Sequence, residues 1–522
     1  MKTRPARPLA IRIPAAFVLP FLFILAGWAT EIPSPARPAS DEILRHARYL
    51  ASDELMGRGV DNPGIDLARD YIAAEFKRYG LVPVGESGTF FQGLEVVTGA
   101  KINEPSGLSF AGGPPLALNE EWIPLGLSHS AKIEGEVVFA GYGITAKDYG
   151  YDDYADLDVK DKTVLVLRYE PPPKNEKSPF RKAPRYSNHS ALLSKAANAR
   201  SHGAVAMILV DLNPPREGEK GLLSIRRTLG RNDTGIVAAQ VKREIVEERL
   251  HEMGISLREL KEKIDLEEKP ASTPLPGFRI TLDVALEKIT KKTDNVIGVL
   301  PGADPQLRGE NIVIGAHYDH IGLGYYGTRD ATAEGQIHNG ADDNASGTTV
   351  LMHLAERLSR RQNRPARSVV FVAFTAEELG LYGSNYYVNH PSFPIDATKA
   401  MLNLDMVGRM RDNRITAAGI DTAKEFRAIV TAAGQEVGVE VVLSQRSAGG
   451  SDHVPFYNKN IPILHFYTGT HEDYHKPTDD WEKLNIEGML KVSDLVLAVL
   501  DKIAVSKEPP TFVRSLPDQP RS

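Results

Sequence analysis

Cysteine is absent from all 522 residues. That lack excludes a disulfide framework, lipid attachment at a leader cysteine and any thiolate metal site. No internal repeat is visible, and no apolar run beyond residue 29 is long enough for a membrane helix. Positive charge is not in excess either: 62 Lys and Arg stand against 68 Asp and Glu, a formal net charge of −6. Residues 1–29 hold four of the bases and no acid, so without them the net charge falls to −10. This balance argues against nucleic acid or an anionic membrane as a partner.

The start of the chain reads as a leader. Lys2, Arg4, Arg7 and Arg12 precede a mostly apolar run over residues 13–28, with small residues at its end. The pattern predicts a signal peptide at residues 1–29 and a secreted or periplasmic protein with no stable membrane insertion. An uncleaved anchor is the alternative, but Pro14 and Pro20 interrupt the run and it is short for a span. The remainder is too long for one hydrophobic core, so two or three domains are expected.

Residues 32–38 form a proline-rich connector, and residues 41–79 carry helical spacing around a loop near 57–64. Strands are expected at 132–139, 163–167 and 205–210, a helix at 191–202, a surface loop over 213–234 and helix over 241–264. Residues 268–276, with three prolines, read as a linker. From residue 280 strands at 295–300, 312–317, 368–374, 400–406 and 462–466 alternate with helices at 346–361, 422–437 and 486–503. Such alternation predicts an α/β fold, a mostly parallel sheet sandwiched by helices, with ligands at the carboxyl ends of strands. Residues 506–522 read as a flexible tail.

Five acid or histidine motifs sit where those strands end. His317 and Asp319 lie two residues apart in GAHYDH, so an acid is placed to hold the second ring nitrogen of a ligand histidine. Asp342 and Asp343 run into a helix start, where one can cap and the other can face a cation. Glu377 and Glu378 follow the apolar run SVVFVAF; one can bind metal while the other takes a proton from water. Residue types alone do not choose within either pair. Asp405 is flanked by apolar residues, where a lone carboxylate is costly; a salt bridge to Arg409 or Arg411 is the plain alternative. His475 lies in a polar loop, while His320, His338, His353 and His471 read as surface residues or as supports of the ligands. Carboxylate and imidazole donors suit a catalytic zinc or similar ion.

Taken in order, the five motifs closely resemble the secreted double-zinc aminopeptidase family, whose superfamily holds bacterial leucyl aminopeptidases, glutamate carboxypeptidase II, glutaminyl cyclase and the transferrin receptor. The resemblance covers about residues 40–125 and 275–505 as two parts of one peptidase domain. It implies two Zn²⁺ per chain: His317 and Asp405 on one, Glu378 and His475 on the other, and Asp343 bridging both. Glu377 matches the general base, Asp319 the partner of His317, and Tyr474 the tyrosine that steadies the oxyanion. The loop 449–453 resembles one on the substrate side, with Gly450 where some relatives carry arginine and Arg446 nearby. Residues 130–265 look like an inserted, β-rich protease-associated domain that roofs the cleft. The implied activity is hydrolysis of peptides with a free N-terminus. A carboxypeptidase of the same superfamily, or a receptor-like binding protein without chemistry, is the alternative.

Overall fold

The computed structural model describes residues 38–181, 186–214, 221–229, 234–445 and 450–514. The expected leader, most of the connector, Arg446, Gly449 and the end of the tail lie outside these residues.

Two apolar runs set the centre of the fold. The strands Asn311–His317 and Ser368–Phe374 are buried along their whole length. Successive side chains of a strand point to opposite faces, so a run without polar alternation needs cover on both. Val369, Phe371 and Ala373 join Ile312, Ile314 and Ala316 in one core. Val370, Val372 and Phe374 join Val313 and Met401 in another. The helices Ala39–Leu50, Gly64–Arg78, Gly347–Ser359, Phe426–Val437 and Ile486–Val505 supply the first core. Tyr387 and Phe456, from Tyr382–Asn389 and His453–Asn458, cover the second. Phe371, fully buried, contributes roughly 1.5–3 kcal/mol of this.

Ser368–Phe374, Asn311–His317, Thr398–Leu404 and Ile463–Tyr467 lie side by side and parallel. Leu286–Leu300 and Arg414–Ala418 extend this sheet antiparallel at its two sides. The expected class therefore holds: a mixed sheet with a parallel centre between helical layers. Because His317 is in register with Phe374, the residues after both strands emerge at one edge.

The insert hangs from a long ribbon. Leu286–Leu300 pairs antiparallel with Phe91–Ile102, from Leu286↔Ile102 to Val296↔Phe91, so residues 102 and 286 meet. Between them stands a seven-stranded sheet of Gly107–Phe110, Thr273–Val284, Ala131–Phe139, Thr163–Leu167, Ala206–Val210, Val237–Val241 and Trp122–Pro124. It too is buried on both faces: Leu165 and Leu167 in one core, Val164 and Val166 in the other.

Three features differ from the sequence reading. The strands at 107–110, 122–124 and 273–284 belong to the second sheet, so the sheets divide near 102 and 286 instead of near 125 and 275. The expected linker at 268–276 ends in a strand, its prolines accommodated by a register shift between Pro274 and Arg279. The helix expected over 241–264 is two, Arg243–His251 and Leu257–Glu267, parted by Gly254 at φ 73° and restarted by the Ser256 cap.

Candidate metal centre

The motif residues converge at the carboxyl edge of the parallel strands. His317 ends its strand, Asp405 follows Thr398–Leu404, and Glu377 and Glu378 follow Ser368–Phe374. Asp343 lies in the turn entering the helix Gly347–Ser359. One oxygen of Asp343 is 3.3 Å from His317 Nε2, which is 3.5 Å from Asp405 Oδ1. Its other oxygen is 3.0 Å from His475 Nε2, which is 3.2 Å from Glu378 Oε2. One carboxylate thus belongs to two clusters. Asp342 is turned away: it accepts from the Gly408 N–H at 2.6 Å and faces His471 Nε2 at 3.1 Å. The helix start is capped by Asn344, whose side chain accepts from the Gly347 N–H at 2.9 Å.

These donors fit a divalent cation. Atoms bound at 2.0–2.2 Å to a tetrahedral zinc stand about 3.3 Å apart, close to the separations here. His317 Nδ1 lies 3.1 Å from the Asp319 main-chain carbonyl, and His475 Nδ1 lies 2.8 Å from that of Gly327. Each carbonyl fixes an Nδ1–H and turns the Nε2 lone pair inward. His475 Nε2 is enclosed between the Asp343 and Glu378 carboxylates at 3.0 and 3.2 Å. The carboxylates gathered here repel one another, and protons on the histidines or a cation between the donors remove that repulsion.

Residues 295–500 match peptidase family M28, and residues 133–248 match the PA domain. Over residues 295–500 the chain is similar to family M28 peptidases. Aminopeptidase YwaD of Bacillus subtilis is 28% identical over 335 residues, 62% of each chain. Leupeptin-inactivating enzyme 1 of Streptomyces exfoliatus is 30% identical over 190 residues, 36% of this chain and 38% of that protein. The chain therefore spans less than two thirds of these curated relatives. Among solved structures, the aminopeptidase from Aneurinibacillus sp. strain AM-1 is 22% identical, covers 92% of this chain and 96% of its own, and superposes with a TM-score of 0.58. The zinc aminopeptidase BSAP of Bacillus subtilis is 21% identical, covers 90% and 96%, with a TM-score of 0.54. At these identities the likeness is one of fold.

The electrostatics of the centre favour positive charge. Burial opposes charging His317 and His475, yet Glu377 beside the first and Glu378 beside the second hold both well above the usual histidine range. Burial also opposes ionising Glu378, but His475 draws it down to about 2, and His317 and His475 hold Asp343 well below its usual value. Glu377 goes the other way: burial, then the Glu378, Asp452 and Asp405 carboxylates, push it well up. Burial pushes Asp319 and Asp452 up to about 7.

Several supports differ from the sequence reading. The Asp319 carboxylate is 3.8 Å from His317 Nδ1 and instead accepts the Glu377 and Glu378 N–H groups at 3.0 and 3.3 Å, fixing their turn. Arg409 pairs with Asp473 and Asp479, not with Asp405. His320, His338 and His353 are buried, and the His471 side chain is 3% exposed, so none is a surface residue. Tyr474 stacks 4.0 Å from the His475 ring, with the Arg329 guanidinium 4.3 Å over it. Asp479 was not singled out; it accepts the N–H groups of Asp342 and Asp343 at 2.9 and 3.2 Å. Asp452, which the sequence offered only as part of the loop 449–453, is fully buried. Lone polar residues in loops leave no periodic trace, so only the fold reveals them.

Proposed function

We propose that this chain is a zinc-dependent aminopeptidase that removes N-terminal residues from peptides, with two zinc ions bridged by Asp343. His317 and Asp405 would hold one ion, and Glu378 and His475 the other. The observation that carries the reading is the division of Asp343 between two clusters with Glu377 alongside. Bound zinc supplies Lewis-acid charge to the scissile carbonyl and makes water more acidic. Glu377 accepts the proton of the attacking water and passes it to the departing amine. Tyr474 donates to the oxyanion as the carbonyl becomes tetrahedral. The surplus of carboxylates receives the substrate's ammonium group.

In the same reading the inserted sheet is a lid. Arg226, from the insert, pairs with Asp61 at 2.8 Å and lies 4.9 Å over the Tyr325 ring. Tyr325 belongs to the loop that also presents Gly327 to His475. A lid tied there restricts access to short or unfolded peptides. Secretion through residues 1–29 is part of the proposal; no helix among the described residues is long and apolar enough to cross a membrane.

The test is hydrolysis of aminoacyl-nitroanilides by the purified chain, with and without chelator, beside N-blocked peptides. Chelator-sensitive release from free N-termini is expected. Activity on blocked peptides alone would replace this reading with the carboxypeptidase one, for which Arg329 offers a cation beside Tyr474.

A further inference from the structure

Glu378 has two oxygens, and the structure gives them different company. Oε2 faces His475 Nε2 at 3.2 Å, whereas Oε1 lies 2.8 Å from Nδ1 of His320. We infer that His320 is a positioning residue: it holds Oε1 so that Glu378 offers the second cation a single oxygen. This rests on the two-zinc reading above.

The residue is held by its main chain and its ring is enclosed. The His320 main chain donates to the Arg58 carbonyl at 3.3 Å and accepts from the Tyr326 hydroxyl at 3.2 Å. Its ring meets that of His475 edge-on, centroids 5.4 Å apart. Gly340, at φ 55°, makes the room: a Cβ there would lie 2.4 Å from His320 Cδ2. Within this enclosure Nε2 is buried and has no hydrogen-bond partner among the described residues. Among the described residues the Glu378 contact is therefore the one directional polar contact of the imidazole, and it fixes Nδ1 as the protonated nitrogen. His320, Asp343, Glu378 and His475 form one compact group of possible donors, while the other group is His317, Asp343 and Asp405 alone. The two cation positions are thus built unequally: a fixed imidazole constrains the carboxylate of the second.

The experiment titrates metal-stripped wild type, H320A and H320N with Co²⁺, following heat and the visible absorption of bound cobalt. Wild type should take up two equivalents. H320A should keep the first and bind the second 10–100-fold more weakly, the usual loss when a ligand's hydrogen-bond partner is removed. H320N, whose amide can donate near the place of Nδ1–H, should recover part of that affinity and of the second cobalt spectrum. Unchanged affinity and spectrum for the second equivalent in both variants would overturn the inference. A wild type that binds fewer than two equivalents would instead remove the two-metal reading beneath it.

Discussion

Arg58→Met should cost about 3–5 kcal/mol of folding stability. The Arg58 side chain is 1% exposed and donates to four main-chain carbonyls: Tyr318 at 2.7 Å, Asn339 at 2.7 Å, Gly340 at 2.9 Å, and Leu50. Those carbonyls belong to the first helix, the end of the His317 strand and the turn before Asp343, so one guanidinium ties two ligand-bearing segments to the first helix. Burial lowers its pKa to about 10, offset by Asp319 and Asp343 among others, so it stays charged at neutral pH. Charge-assisted hydrogen bonds contribute about 1.5–3 kcal/mol each. Losses within one network do not add, and the cost of burying the guanidinium disappears with it. Breaking a buried charged network by removing one partner therefore costs about 3–5 kcal/mol. Urea denaturation of the metal-stripped variant reads this directly. Arg58→Lys, with three donors for four acceptors, should recover only part. A loss below about 1 kcal/mol in Arg58→Met would refute the reasoning.

Glu377→Gln should lower kcat on an aminoacyl-nitroanilide by about 10²–10⁴-fold while zinc content stays at wild type; loss of zinc would show that Glu377 and Glu378 have been exchanged. Asp479→Ala, which strips the Asp342 and Asp343 N–H groups of their acceptor, should weaken zinc retention about 10–100-fold in a chelator competition. His46 is buried between the Tyr71 and Tyr79 hydroxyls, and burial, then Arg45, lowers its pKa from 6.5 to about 3. The unfolded chain thus takes up a proton that the folded chain refuses, and stability falls as pH drops from 6.5 toward 3, by at most about 5 kcal/mol. His46→Gln should flatten that slope in denaturation series over the same window. Arg226→Ala removes a partly exposed ion pair, so melting should hardly move; cleavage of long peptides relative to an anilide should rise if the insert gates the cleft.

Where burial wrote itself into composition, the chain was legible. Thr163–Leu167 and Ser368–Phe374 lie within one residue of their expected bounds because a strand covered on both faces is an unbroken apolar run. Three of the five motifs were visible because they pair acids or join acid to histidine, and Asp405 because a lone acid stands among apolar residues. Phe91–Ile102 escaped notice: its burial alternates and its partner strand is rich in Lys and Thr, so it reads as solvated chain. Thr273–Val284 was hidden by its prolines, which a bulge accommodates. Arg58, His320 and Asp479 serve the site through contacts 58 to 282 residues away in sequence, and no local pattern marks such partners.

The central claim is that one aspartate, Asp343, stands between two cations, and anomalous diffraction at the zinc absorption edge from crystals of zinc-loaded protein tests it most directly. Two peaks are expected, one beside His317 and Asp405 and one beside Glu378 and His475, each within coordination distance of an Asp343 oxygen. A single peak, or peaks that Asp343 does not touch, would contradict the account.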